Sequence, residues 1–204
     1  LATSPDGITW TQRTSSFSDT DIRGVTYGNG MFVAVGSSGK LATSPDGITW
    51  TQRTSSFSST DIHAVTYGNG MFVAVGNSGK LATSPDGITW TLRGGLNYTY
   101  LYAVTYSNGM FVAIGEKNNL ATSPDGITWT LGTGDLGSTY MRGITYGNGM
   151  FIAVGEIGRL ATSPNGVTWA QRPSGFDISH IRGVAYGNGM FVIVGDSGKL
   201  ATLS

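Results

Sequence analysis

The feature that most constrains this chain is a repeat. Ser-Pro-Asp-Gly-Ile-Thr-Trp stands at Ser4–Trp10, Ser44–Trp50, Ser84–Trp90 and Ser123–Trp129, and returns as Ser-Pro-Asn-Gly-Val-Thr-Trp at Ser163–Trp169. It belongs to a longer period, because Leu1, Leu41, Leu81, Leu120, Leu160 and Leu200 open successive units of 40, 40, 39, 40 and 40 residues. Residues 1–204 therefore read as one repeat domain with units 1–40, 41–80, 81–119, 120–159 and 160–199 and a closing strand 200–204. The first two units differ only at Asp19/Ser59, Arg23/His63, Gly24/Ala64 and Ser37/Asn77. Such likeness is the mark of recent duplication or of design.

Each unit reads as four short strands. Arg23–Tyr27 leads through Gly-Asn-Gly into Met31–Val35. Asn-Gly between two β-prone runs signals a two-residue hairpin, in which both turn residues take positive φ. A turn containing glycine follows, then Leu41–Ser44, a Pro-Asp-Gly turn, and the run Ile48–Arg53. Met31–Val35 is apolar on both sides, as a strand buried between neighbouring sheets is. Ile48–Arg53 alternates, as a half-exposed outer strand does. Gly24, Ala64, Ala103, Gly143 and Gly183 keep one position small in the first strand, which fits crowding at a central axis. Units of this length with four antiparallel strands are propeller blades. The expected fold is all-β: a closed five-bladed β-propeller with four antiparallel strands per blade.

The chain opens on a third strand and ends on another, so the N- and C-terminal strands are expected to share one blade and close the ring. Leu1–Ser4 and Leu200–Ser204 compete for one third-strand position there. The C-terminal copy follows Phe191–Val194 through a short turn and is expected to win.

Composition removes several function classes. Twelve Lys+Arg balance twelve Asp+Glu, so no basic surface awaits a nucleic acid. Cysteine is absent, which excludes disulfides, thiolate catalysis and zinc–sulfur sites. No run of about 18 apolar residues is present to span a bilayer, and no leader pattern opens the chain. Starting at Leu1, it reads as an excised or processed piece. His63 and His180 lack the spacing of metal ligands, so no metal or other cofactor is expected. An isolated domain of this kind is expected to be a monomer.

The motif resembles the Asp-box of sialidases and other bacterial neuraminidase repeats, with one residue fewer between Asp and Gly. The whole unit looks like propeller repeats of bacterial surface and phage tail proteins. That resemblance implies an extracellular or virion-associated setting and a motif that serves as a structural turn. The residues agree, since Asn165 replaces the aspartate and keeps the acceptor while losing the charge.

Chemistry needs residues that break the repeat. The recurring Tyr27, Tyr67, Tyr106, Tyr146 and Tyr186 do not, and read as packing; the five tryptophans read as wedges between blades. Arg23, His63, Tyr102, Arg142 and Arg182 share one blade position and differ. In a closed ring Arg142, Arg182 and Arg23 lie on one arc, which suits either an anion or structural ion pairs. Tyr98, Tyr100 and Tyr140 join them from variable connections on the same face. These eight residues are the candidate ligand site. No nucleophile, acid and base accompany them, so no catalytic residues are assigned. The expected function is a non-enzymatic binding or display module for a glycan or other cell-surface ligand. Cations beside rings favour an acidic glycan. The alternatives are a structural scaffold without ligand and, third, a glycosidase-like enzyme. Asn97–Thr99 also forms a glycosylation acceptor pattern.

Overall fold

The computed structural model describes residues 1–94, 96, 100–132 and 134–203. β1 (Ala2–Thr3) and β2 (Thr11–Gln12) form a two-stranded sheet of their own. The first blade follows as β3 (Ile22–Gly28), β4 (Met31–Gly36), β5 (Leu41–Ser44) and β6 (Thr51–Arg53). The second comprises β7 (Ile62–Gly68), β8 (Met71–Gly76), β9 (Leu81–Ser84) and β10 (Thr91–Arg93). The third holds β11 (Leu101–Ser107), β12 (Met110–Gly115), β13 (Leu120–Ser123) and β14 (Thr130–Leu131). In the fourth are β15 (Met141–Gly147), β16 (Met150–Gly155), β17 (Leu160–Ser163) and β18 (Ala170–Arg172). The fifth has three strands, β19 (Ile181–Gly187), β20 (Met190–Gly195) and β21 (Leu200–Leu203). All pairings are antiparallel between sequence neighbours.

Inner strands pack side by side, β3 on β7, β7 on β11, β11 on β15 and β15 on β19. This explains the small residue in each: a Cβ on Gly24 would sit 3.4 Å from the Ala64 backbone of the next blade. Second strands fill the space between sheets, with Val33, Ala34 and Val35 fully buried, as their two-sided apolar pattern requires. Asn29 (φ 46°) and Gly30 (φ 74°) both take positive φ, so the hairpin is the primed turn that Asn-Gly specifies.

Two expectations change. The outer strand begins at Thr51, because the Asp46 carboxylate holds the N–H groups of Ile48 and Thr49 (both 2.8 Å) in the turn. Ile48 is consequently exposed. More consequentially, the terminal strands do not share a blade. β21 takes the third-strand place beside β20, as expected, but β2 pairs with β1 and not with β21. A hairpin closed by the short Ser4–Trp10 turn needs no long-range loop closure, whereas pairing β2 with β21 would join opposite ends of the chain. The β1–β2 hairpin lies against the first blade, where Thr3 approaches the Gly47 turn, and so stands as the outer half of a preceding blade.

The two ends of the array are therefore open. Tyr67, Tyr106 and Tyr186 lie flat on Gly28, Gly68 and Gly147 of the blade before; Gly187 of the last blade has open space instead. On the first blade Val25 and Tyr27 are more than half exposed, while their counterpart Val65 is buried.

Candidate functional site

Arg23, His63, Tyr102, Arg142 and Arg182 owe their common placement to the backbone. In every blade the register between first and second strands skips this residue, from Ile22 to Gly24 and likewise around His63, Tyr102, Arg142 and Arg182. A β-bulge leaves its extra residue outside the ladder and re-aims the side chain. The same end of each blade carries both variable connections. The N–H of Ser37 donates to the Asp21 carbonyl (3.0 Å), and Asn77, Glu116, Glu156 and Asp196 repeat the bond to Asp61, Tyr100, Tyr140 and His180. The opposite face holds the constant turns, where the Asn29 side-chain amide donates to the Pro85 carbonyl (3.2 Å) of the next blade.

Arg23, His63, Arg142 and Arg182 each bond the residue fourteen positions on, the first of the turn after the second strand. The Nε of Arg23 donates to the Ser37 hydroxyl (3.1 Å), and its Nη2 pairs with Asp61 of the second blade (3.2 Å). His63 Nε2 and Asn77 Oδ1 share a hydrogen bond of 2.5 Å. Burial, followed by the nearby Arg23 charge, outweighs that hydrogen bond and holds the His63 pKa below its ordinary value. Arg142 pairs with Glu156 through Nε (3.1 Å) and Nη2 (2.6 Å). Arg182 meets Asp196 through two oxygens (2.7 and 3.0 Å); the hydrogen bond raises the arginine pKa and lowers the aspartate's.

All three arginines thus have carboxylate partners, though none is the Asp19 or Asp21 of the preceding connection. Arg142 and Arg182 share one position on adjacent blades whose inner strands pack together. Arg142 sits in the fourth blade, while Arg23 and Arg182 belong to the two ends that remain apart. The structure instead gathers a different subset. Tyr100 and Tyr102 stack with centroids 6.3 Å apart and planes 9° from parallel. Tyr140 meets Tyr102 edge-on at 5.9 Å, and His63 lies 4.9 Å from Tyr102 on the other side. The Arg142 guanidinium carbon stands 4.1 Å from the Tyr102 ring centre and 5.2 Å from that of Tyr140. Burial raises the Tyr102 pKa, so the phenol stays protonated at neutral pH. Tyr98 and the Asn97–Thr99 pattern lie outside the described residues. Among the described residues no group of three His, Asp or Glu side chains converges on a metal position, and no helix is long and apolar enough to cross a membrane.

The turn residues Ser37, Asn77, Glu116, Glu156 and Asp196 were not singled out from the sequence. They stand in connections whose sequence varies, but variation alone does not pair them with the bulge residues, since Arg23, Arg142 and Arg182 meet Ser37, Glu156 and Asp196 in turn.

Comparison with solved structures places this geometry among propellers. A catalytically inactive virginiamycin B lyase from Staphylococcus aureus with quinupristin shares the fold with a TM-score of 0.84 at 12% identity, over 95% of this chain and 69% of that one. YCF48 bound to D1 peptide matches with a TM-score of 0.70 at 18% identity, over 96% and 68%. YCF48 from Cyanidioschyzon merolae matches at 0.67 and 14% identity, over 89% and 66%. The chain thus spans about two thirds of the length of these structures. No curated protein matches it by sequence. Residues 4–136, well over half of the chain, match the family model described as the DUF6242 beta propeller domain. The chain belongs to that family.

Proposed function

We propose that this chain is a non-enzymatic binding or display module whose ligand site is the aromatic cluster of Tyr100, Tyr102 and Tyr140 with His63 and Arg142. One observation carries the reading: these residues occupy bulge and connection positions that the repeat would otherwise keep alike, and they converge across three consecutive blades. Constant strands with one variable face are how a scaffold carries recognition. Stacked phenols with one guanidinium offer flat apolar area and hydrogen-bond donors, which suits the ring faces and hydroxyls of a glycan. Because Glu156 neutralises Arg142, the cluster favours a neutral sugar over the acidic one that unpaired arginines would select. Tyr98 belongs to the same reading through its place in the connection before Tyr100. Arg23 and Arg182, each engaged with an aspartate, would contribute at the margin. A glycan ligand fits a surface or phage tail protein, extracellular or virion-associated, which is the setting its repeat resemblance implies.

A second reading has its own support. The neighbour YCF48 is a propeller bound to a peptide, and the same rings would take an aromatic or proline side chain. Virginiamycin B lyase shares the fold as an enzyme, at 12% identity. A glycan array and a peptide array on the purified chain decide between the ligands, each followed by Tyr102→Ala and Arg142→Ala variants. Glycan signals lost in Tyr102→Ala support the first reading. Peptide signals with the same sensitivity support the second. Binding that survives both substitutions would place the site elsewhere.

A further inference from the structure

In four blades the first residue of the turn after the second strand answers the bulge residue of the same blade. Ser37 accepts from Arg23, Asn77 bonds His63, Glu156 holds Arg142 and Asp196 holds Arg182. The third blade breaks the arrangement. Its bulge residue is Tyr102, whose phenol brings no positive charge, yet its turn residue is Glu116. Among the described residues no cation pairs with the Glu116 carboxylate and no group donates a hydrogen bond to it. The Glu116 backbone does what the others do: its N–H donates to the Tyr100 carbonyl (3.0 Å) and its carbonyl accepts from the Asn119 N–H (2.9 Å). Ser37 and Asn77 make the same two bonds in their own turns, so the turn does not require a carboxylate.

That carboxylate stands beside the aromatic cluster. Burial raises the Tyr102 pKa and the Glu116 charge adds to the rise, so the two groups feel one another. The other charges nearby are offset. Arg142 is paired with Glu156 (2.6 Å) and Arg23 with Asp61 (3.2 Å). His63, on the other side of Tyr102, is held below its ordinary pKa, chiefly by burial. Lys117, next in the chain, lines a separate polar pocket with Asp135 and Arg159. The cluster is left with one half-buried carboxylate uncompensated. It also has two rings with open area, Tyr100 at 39% and Tyr140 at 36% exposed. An anion partly withdrawn from water without a partner carries a cost that a cationic ligand removes. Aromatic faces attract the same charge.

We propose that Glu116 is an ammonium subsite of the aromatic cluster, and that the ligand is a glycan bearing a free, protonated amine on its sugar ring. The inference rests on the glycan reading above and narrows it. In such a sugar the ammonium is fixed directly to the ring, so the face that stacks on a tyrosine and the charge that meets the carboxylate belong to one rigid body. An N-acetylated sugar offers the same ring without the charge and leaves Glu116 uncompensated. A lysine side chain brings the charge on a flexible stem that loses rotamer freedom when it is held. Glu156 does not compete for the ligand's amine, because Arg142 already occupies it.

The test titrates the full chain with two oligomers of equal length, one of glucosamine and one of N-acetylglucosamine, in mildly acidic buffer where the sugar amine is protonated. Calorimetry should show the amine-bearing oligomer binding about tenfold more tightly, the worth of one charge-assisted hydrogen bond. That preference should fade as salt rises. Glu116→Gln should abolish the preference while leaving the affinity for the N-acetylated oligomer and the melting temperature unchanged. Tyr102→Ala should weaken both oligomers, which reads out the aromatic platform separately from the charge. Equal affinity for the two oligomers in the parent chain overturns the inference and leaves the glycan reading standing. A preference for the amine that survives Glu116→Gln does the same. If neither oligomer binds, the inference falls, and the glycan reading is then judged by the array alone. Glu116-dependent binding of a lysine-bearing peptide in place of either oligomer overturns both, in favour of the peptide reading.

Discussion

At the scale of single residues, the aspartate of the repeated motif is a turn-maker. In each of the first four copies one carboxylate oxygen accepts two backbone N–H groups and the serine hydroxyl, as Asp46 does at 2.8–2.9 Å. Asn165 reproduces the set with its amide oxygen at 2.9 Å to Val167 and Thr168. Those bonds, the Thr49 N–H foremost, lower the Asp46 pKa, and Asp6, Asp86 and Asp125 shift the same way. A carboxylate with a depressed folded-state pKa adds stability above its unfolded value of about 3.9 and loses it as pH falls through the folded value. Changing Asp46, Asp86 and Asp125 together to asparagine should leave the melting temperature nearly unchanged at pH 7 and flatten its fall below pH 4. An equally steep acid limb in the variant would show that other groups set it. A second residue tests backbone strain. Ile157 holds φ 53° in the turn where other blades carry Ser38, Ser78 or Ser197. A β-branched residue is strained there. Ile157→Asn should stabilise by about 1 kcal/mol in urea titration, and destabilisation would mean that its exposed side chain makes a contact that matters.

At the scale of elements, strand order and turn types were legible because they depend on local chemistry. Asn-Gly sets a primed turn, two-sided apolar runs lie between sheets, and small residues stand where inner strands crowd. The outer strand was read too long, since alternation in Ile48–Arg53 says nothing of a carboxylate that captures its first N–H groups. The connections before each inner strand read as polar, yet each carries one buried anchor: Phe17, Phe57, Leu96, Leu136 or Phe176. One apolar residue at a fixed place in a variable loop was the available signal. Phe57 is fully buried beside Val35 and Leu41 in the core shared by the first two blades. Phe57→Ala should cost about 3–5 kcal/mol, as large buried aromatics do, against well under 1 for Ser58→Ala in the same loop. Equal effects in denaturant titration would mean that the loop is not anchored through the ring. The candidate site was half legible for a related reason. Bulge positions show as symmetry-breaking residues, but which of them meet depends on blade adjacency. Tyr100, Tyr102, Tyr140 and Arg142 come from consecutive blades and converge; Arg23 needed a closed ring to join Arg142 and Arg182.

At the scale of the whole molecule, an array built from one repeated interface has stability that depends on position. Each interior blade is held on both sides by its neighbours' inner strands, at three interfaces with a tyrosine on a glycine. The first blade packs on the short β1–β2 hairpin, and among the described residues no sheet packs on the far side of the fifth, where Gly187 faces open space. In repeat architectures stability is close to a sum of unit terms and nearest-neighbour interface terms, so units that lack one interface open first. Native-state hydrogen exchange should therefore show a gradient. Amides of β1, β2 and β19–β21 should exchange through local opening, those of β3–β6 next, and those of β8, β12 and β16 only through global unfolding. Denaturant should merge the groups in that order, because each opening exposes a different amount of surface. The pattern separates an arc from a ring by its symmetry. A closed propeller has no terminal blade, and its second strands would be protected alike in all five sheets. Uniform protection of β4, β8, β12, β16 and β20 would sink the open arrangement.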